Sequence, residues 1–392
     1  MAAIDKRGET YRIRVSEGYD STGKQIMRAM TWKPAPGMTE KQIKKELDRQ
    51  AALFEETVRA GRYVDPTIKF QAFAEQWFED YGKEHLRDRT YYRYRQLTGR
   101  TYAAIGHLPL CKIQPRHLIQ FYQQLAEPGQ NQRTGGALAP KTIKHYHTFI
   151  SSVLERAFKW GVLLENPARR VDSPKAPKTE LDFLDKEEIV QLLEALEREP
   201  VDHRAMFMLL IYGGLRRGEL LGLEWPDIDF STGVVSIVRT SQYCTETGIY
   251  TDTTKTRESQ RSFKVPRNVL EALERHRWAQ RQQRRKVGDQ WQESNRLFTK
   301  WDGLPMSLNT PYEKFQKILQ KNGLRQVSLH SLRHSNATLL INEGMNIRAV
   351  SALLGHSQTS TTMNIYSHQL KSAEAAAAEA LEFALDREKK RA

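Results

Sequence analysis

The chain has 392 residues and 45.4 kDa, with 61 Lys+Arg against 47 Asp+Glu, a formal charge of +14 and a pI near 9.6. Hydrophobic residues at 39% and charged residues at 28% exclude wholesale disorder, and the length suffices for two or three domains. Two isolated cysteines, Cys111 and Cys244, exclude a disulfide framework, and the longest apolar run, Met206 to Tyr212, is too short to span a bilayer. MAAIDKRGET lacks the apolar stretch of a signal peptide, so a reducing cytosolic location is expected, with no membrane partner.

The surplus charge is unevenly placed. Residues 1–65 carry thirteen basic and ten acidic side chains, residues 66–179 eighteen and nine, and residues 180–392 thirty and twenty-eight. A solvated charged surface would spread the excess, whereas a polyanion-binding segment concentrates it. Nucleic acid is the expected partner.

In the first unit TYRIRV alternates as a strand should, GYDSTGK forms a turn at Gly23, and QIMRAMTW reads as a further strand. A helix follows, with Thr39 and Gln42 as capping box, Ile43, Leu47 and Leu53 as apolar stripe, and Gly61 as its stop. The middle unit reads as helical. Phe70, Phe73, Trp77 and Tyr81 share one face; Leu118, Phe121, Tyr122 and Leu125 share another; Ile143, Tyr146, Ile150, Val153, Ala157 and Phe158 a third. Helical register makes these aromatics core rather than a base-stacking platform. The basic residues Arg87, Arg89, Arg93, Arg95, Arg100, Lys141, Lys144 and Lys159 fall largely on other faces, as a duplex-backbone binder requires.

ENPARRVDSPKAPKTE, with Pro167, Pro174 and Pro177, predicts an extended linker whose Arg169, Arg170, Lys175 and Lys178 could track phosphates. The last unit opens at Asp185 and Glu188, which cap a helix bearing Ile189, Leu192, Leu193 and Leu196. DIDF, VVSIVRT and RSFKVP predict a short antiparallel meander with a polar hairpin. The class is multidomain: a small sheet plus helix, an all-α bundle, then a mainly helical α+β unit with a small antiparallel sheet.

Four patterns in the last unit carry chemistry. GGLRRGEL holds Arg216 and Glu219, TKTRESQR holds Lys255, HSLRH holds His330, Arg333 and His334, and LLGH with NIYSH holds His356 and Tyr366. Singly, each has a plain structural explanation. His330 and His334 have zinc-like i, i+4 spacing, but Ser331 stands where a metalloprotease needs Glu, so no metal is expected. Together they suit phosphoryl transfer on a nucleic-acid backbone. Guanidinium forks match the non-bridging oxygens of a phosphodiester, lysine and imidazoles move protons, and a tyrosine hydroxyl can store the phosphoryl bond covalently. No P-loop or acidic metal cluster offers another route, so no cofactor is expected.

In this order and spacing, Arg216, Lys255, His330, Arg333, His356 and Tyr366 resemble the tyrosine recombinase (phage integrase) family over roughly residues 66–370. Residues 1–65 look like the AP2-like arm-binding domain found on integrases of conjugative transposons, the group this chain resembles most. The resemblance implies an arm-type DNA-binding domain (1–65), a core-binding bundle (66–168), a linker (169–180), a catalytic domain (181–370) and a tail helix (371–392). It makes Tyr366 the nucleophile forming a 3′-phosphotyrosine, with Arg216, Arg333 and His356 on the scissile phosphate, Lys255 as general acid and His330 assisting. His334 is read as structural. Tyr11, Arg12, Arg14, Arg28 and Trp32 are candidate arm contacts. The implied partners are double-stranded DNA at core and arm sites, three further protomers around a Holliday junction, and an accessory excision factor, on the nucleoid of a bacterial cytosol. A type IB topoisomerase would use similar residues without the first domain, and a pure DNA-binding regulator would not need all six.

Overall fold

The computed structural model describes residues 2–19, 21–61, 63–175, 182–244, 246, 248–253, 260–355 and 363. The chain divides into two compact units, Met1–Lys178 and Thr179–Ala392.

The first unit begins with β1 (Ala3–Arg7), β2 (Thr10–Tyr19) and β3 (Gln25–Trp32), antiparallel in the order β1-β2-β3. Alternation turns Ile13 and Val15 onto α1 (Glu40–Arg59), where both are buried. Opposed residues share a face, and the register pairs Tyr11 with Trp32, Ile13 with Met30 and Val15 with Arg28. Tyr11, Arg28 and Trp32 therefore lie on the helix-covered face, where Arg28 stacks 5.1 Å from the Tyr63 ring. Of the five candidate arm contacts, Arg12 and Arg14 alone occupy the open face. The other three are half-buried on the face that packs against α1. Helix α1 starts as predicted, with Gln42 donating to the Thr39 hydroxyl and accepting from the Thr39 amide. Its last turn closes at Gly61, φ +64°. Its buried stripe is Leu47, Ala51, Phe54 and Val58, and Leu53 is 48% exposed. Six residues beyond Leu47, Leu53 is rotated about 120° off that stripe at 3.6 residues per turn.

The bundle follows. Helix α2 (Phe70–Trp77) runs through a π-helical turn at Phe78–Gly82 into α3 (Lys83–His85). Then come α4 (Asp88–Thr101), α5 (Pro115–Leu125) and α6 (Pro140–Lys159). Phe70, Phe73 and Trp77 are buried, as are all four predicted residues of α5. The π-turn also seats Phe78, stacked 5.8 Å from Phe149. Phe158, predicted as core, is exposed, because Leu154 and Ala157 fill the inward side of that turn. The predicted extended linker begins later than its prolines suggest. Pro167–Arg170 forms a 3-10 turn, Asn166 accepts from the Ala168 amide at 2.9 Å, and Ala168 and Val171 are buried in the bundle. A proline at the first position of a turn loses no hydrogen bond there.

The second unit is built round α8 (Val201–Gly213), apolar on every side from Ala205 to Ile211 and packed by α7 (Lys186–Leu196), α10 (Arg267–Val287) and α12 (Ser331–Asn342). The Asp185–Glu188 capping box opens α7 as predicted. Helix α9 (Arg217–Gly222) leads to β4 (Ile228–Asp229) and β5 (Val234–Ile237). VVSIVRT does not form one strand: it breaks at exposed Val238, and β6 (Arg239–Cys244) pairs with β7 (Gly248–Thr253) as a separate hairpin. Strand β8 (Arg261–Lys264) returns beside β5, giving a sheet ordered β4-β5-β8. Helices α11 (Thr310–Lys321) and α13 (Ile347–Leu354) complete the described unit. No helix among the described residues is long and apolar enough to cross a membrane.

Candidate active site

The site grows from the end of α8. Gly214 takes a left-handed backbone, φ +56°, and a Cβ there would lie 2.8 Å from Leu354 and 2.9 Å from Asn336. Glycine lets the chain turn sharply against α12 and α13. Arg216 then caps α9. Its amide donates to Glu219 Oε2 at 2.9 Å, and its guanidinium donates to Glu219 Oε1 at 2.7 Å and to the Gly355 carbonyl at 3.1 Å. The Arg216 side chain is 39% exposed, so the fork keeps an open side.

Arg333, on the first turn of α12, is buried. It donates to the Gly214 carbonyl at 2.7 Å and the Leu354 carbonyl at 2.5 Å. The sequence suits both Arg216 and Arg333 to the non-bridging oxygens of one phosphodiester. The structure gives them different settings: Arg216 is half open, while Arg333 sits beneath the surface and ties the α8–α9 turn to the end of α13. Burial is tolerable because the carbonyls at a helix C-terminus carry partial negative charge and lack partners within the helix.

His330 immediately precedes α12. With Leu215, Arg217, Tyr312 and Leu329 it lines a cavity of about 290 Å³. Loss of water, then the positive charges of Arg333 and Arg216, hold its imidazole below the ordinary histidine range. A neutral ring at physiological pH can accept a proton. His334 crosses it edge-on with centroids 4.7 Å apart, and burial with the neighbouring His330 and Arg333 lowers it to about 4. The structure thus brings Arg216, His330 and Arg333 together. Lys255, His356 and Tyr366 lie outside the described residues, as does the segment 371–392 expected to form a tail helix.

A further residue belongs to this cluster. The Arg261 side chain, 6% exposed, donates through Nε to the Leu353 carbonyl at 2.5 Å and through both terminal nitrogens to Glu219, at 3.2 and 2.8 Å. Three guanidiniums therefore hold three consecutive carbonyls: Arg261 on Leu353, Arg333 on Leu354 and Arg216 on Gly355. Burial alone would raise the Glu219 carboxyl, but hydrogen bonding and charge from Arg261, with Arg216, lower it to about 2. Strand alternation could have revealed Arg261, since Phe263 two residues on is an inward apolar residue of the same strand.

The candidate DNA contacts separate into two groups. Burial and the positive charges of Arg93, Lys141 and Lys144 lower the His145 imidazole, so these residues of α4 and α6 meet in one basic patch. Arg93, Lys141 and Lys144 are themselves exposed. Arg95 is committed elsewhere, bonded to Glu75 at 2.5 Å and stacked 4.1 Å from the Phe78 ring. Arg169 pairs with Glu155 at 2.6 Å and Arg170 with Glu165 at 2.7 Å, whereas Arg14, paired with Asp5 at 2.8 Å, remains 43% exposed on the open sheet face.

The family model described as Phage integrase family matches residues 182–373, and that of the phage integrase N-terminal SAM-like domain matches residues 69–126. A tyrosine recombinase XerC-like protein of Caldanaerobacter subterraneus subsp. tengcongensis is 29% identical, over 95% of this chain and 96% of the relative. Tyrosine recombinase XerC of Halalkalibacterium halodurans is 30% identical, over 59% of this chain and 69% of the relative. In fold, the chain is similar to the Tn1549 transposon integrase solved with transposon right end DNA, with TM-score 0.64 and 21% identity over 80% of this chain and 99% of that one. The arginine-lined turn, the imidazole beside it and this agreement across both units establish that the chain belongs to the phage integrase family and is a tyrosine recombinase.

Proposed function

We propose that the protein integrates and excises a mobile element by site-specific recombination between double-stranded DNA sites. The observation that carries the reading is the anchoring of Arg216 beside His330, on a turn that Arg333 fastens to the end of α13. The half-open Arg216 meets a non-bridging oxygen of the scissile phosphate, and buried Arg333 adds its charge from beneath while holding the turn. His356 supplies a further donor. The Tyr366 hydroxyl attacks phosphorus, a P–O bond to tyrosine forms, and the P–O bond to the 5′ oxygen breaks. His330 assists the phenol's proton off, and Lys255 delivers a proton to the departing 5′ oxygen. The 5′-hydroxyl of the partner strand then attacks the 3′-phosphotyrosine in reverse. One ester replaces another at each step, so the exchange balances without ATP.

In this reading residues 1–65 bind arm sites through the open sheet face of Arg12 and Arg14, and the bundle (66–168) reaches the core site through Arg93, Lys141 and Lys144. A linker (169–180) leads to the catalytic domain (181–370) and a tail helix (371–392). Four protomers exchange strands through a Holliday junction on the nucleoid of a bacterial cytosol, with an accessory factor favouring excision. Incubation with nicked duplexes drawn from a library of core sites tests this. A covalent protein–DNA adduct is expected that survives EDTA and is absent in Tyr366→Phe. An adduct with Tyr366→Phe removes the nucleophile, and loss of cleavage in EDTA removes the metal-free mechanism.

A further inference from the structure

Arg216 shares a buried carboxylate. Each Glu219 oxygen accepts from Arg216 and also from Arg261, and both Glu219 and Arg261 are almost wholly buried. Arg216 and Glu219 alone would form a neutral pair, and a neutral pair offers a phosphodiester little attraction. The second guanidinium changes the balance to two positive charges against one negative.

We infer that Arg261 is a positioning residue for strand cleavage: by neutralising Glu219 from behind, it leaves Arg216 oriented on its carboxylate yet positive toward the scissile phosphate. The inference rests on the recombinase reading above. The geometry is suited to the task because Arg261 approaches Glu219 with a bidentate fork, the arrangement that fixes a carboxylate plane. The same side chain holds the Leu353 carbonyl, next to those held by Arg333 and Arg216, so the end of α13 and the charge on Arg216 are set together.

The test compares adduct formation by the full chain on two nicked core-site duplexes. One carries the natural phosphodiester, and the other carries a methylphosphonate in which a methyl group removes the negative charge at the scissile position. Arg261→Gln should slow the phosphodiester reaction about 100-fold, the scale of a lost transition-state charge donor. On the methylphosphonate the deficit should shrink below about fivefold, because one unit of negative charge is missing from ground and transition state alike and Arg216 has less to meet. The double variant Glu219→Gln/Arg261→Gln, with nothing left to cancel Arg216, should regain about tenfold over Arg261→Gln on the phosphodiester. Equal deficits on the two substrates, or a double variant as slow as the single, would overturn the inference, since a purely structural role affects both substrates alike. Should Arg261→Gln not fold, Arg261→Lys keeps the charge without the fork and is expected to lose about tenfold on the phosphodiester alone. Equal loss on both again overturns it. If the unaltered protein forms no Tyr366-dependent adduct with any library duplex, the recombination reading itself fails, and this inference with it.

Discussion

The guanidinium of Arg333 and the carbonyl of Gly214 lie 2.7 Å apart across 119 positions of sequence, joining the start of α12 to the turn that presents Arg216. With the Leu354 carbonyl on its other nitrogen, Arg333 is as much a fastening of the site as part of its charge. Arg333→Ala leaves two buried carbonyls without this donor and should cost roughly 2–6 kcal/mol, at about 1–3 kcal/mol for each unsatisfied group. Urea unfolding followed by tryptophan fluorescence should show a lower midpoint. An unchanged midpoint would refute the fastening role.

Gly214→Ala meets the turn from the opposite side. The added methyl would press on Leu354 and Asn336 in a backbone conformation that L-residues avoid. A destabilisation of about 1–3 kcal/mol is expected, with DNA binding retained and cleavage slowed. Thermal unfolding and the adduct assay measure the two effects separately.

Acid should weaken the second unit through His334. The unfolded chain takes up a proton there near the ordinary value of 6.5, while the folded chain resists until about 4. In that window the unfolded state binds more protons, so stability is full above pH 6.5 and declines as pH falls toward 4. Tm at pH 5 should lie below Tm at pH 7.5. His334→Leu, which cannot titrate, should narrow the gap; a gap of the same width would refute the assignment.

The bundle's basic residues should divide by their partners. Neutralising Arg93, Lys141 or Lys144 should weaken binding to every duplex sequence and reduce the salt dependence by about one unit of log–log slope per lost phosphate contact. Arg95→Gln should act on stability instead, since it removes the guanidinium partner of Glu75, which keeps only the Tyr102 hydroxyl, and uncovers Phe78. Affinity measured from 50 to 300 mM salt distinguishes the two, and an Arg95 effect on slope equal to that of Arg93 would contradict this division.

The N-terminal sheet offers a comparable contrast. Arg12→Gln and Arg14→Gln should reduce arm-site binding, whereas Arg28→Gln, packed on Tyr63 on the helix side, should chiefly lower Tm. Gel-shift titration against arm duplexes, with unfolding measured in parallel, tests the assignment.

Much of the architecture is legible in local pattern. The capping boxes at Thr39 and Asp185, the stop at Gly61 and the apolar faces of α2, α5 and α6 depend on neighbours within a few residues, which periodicity captures. Local pattern stops where a partner element decides. Tyr11, Arg28 and Trp32 alternate like any strand residues, and only the side on which α1 lies makes them inward. Leu53 loses to Phe54 because the sheet meets α1 along the Leu47–Val58 stripe.

By itself, the sequence determined the family chemistry: arginine forks, imidazoles, a lysine and a tyrosine are readable as residue types in order. Tertiary structure alone decided how the arginines divide the work, with Arg216 half open, Arg333 buried, and Arg261, absent from the chemical reading, compensating Glu219. The physical reason is that these hydrogen bonds join residues from 3 to 139 positions apart, and a guanidinium's role depends on which acceptors folding brings within hydrogen-bonding reach. That proximity is a property of packed elements, which no local pattern encodes.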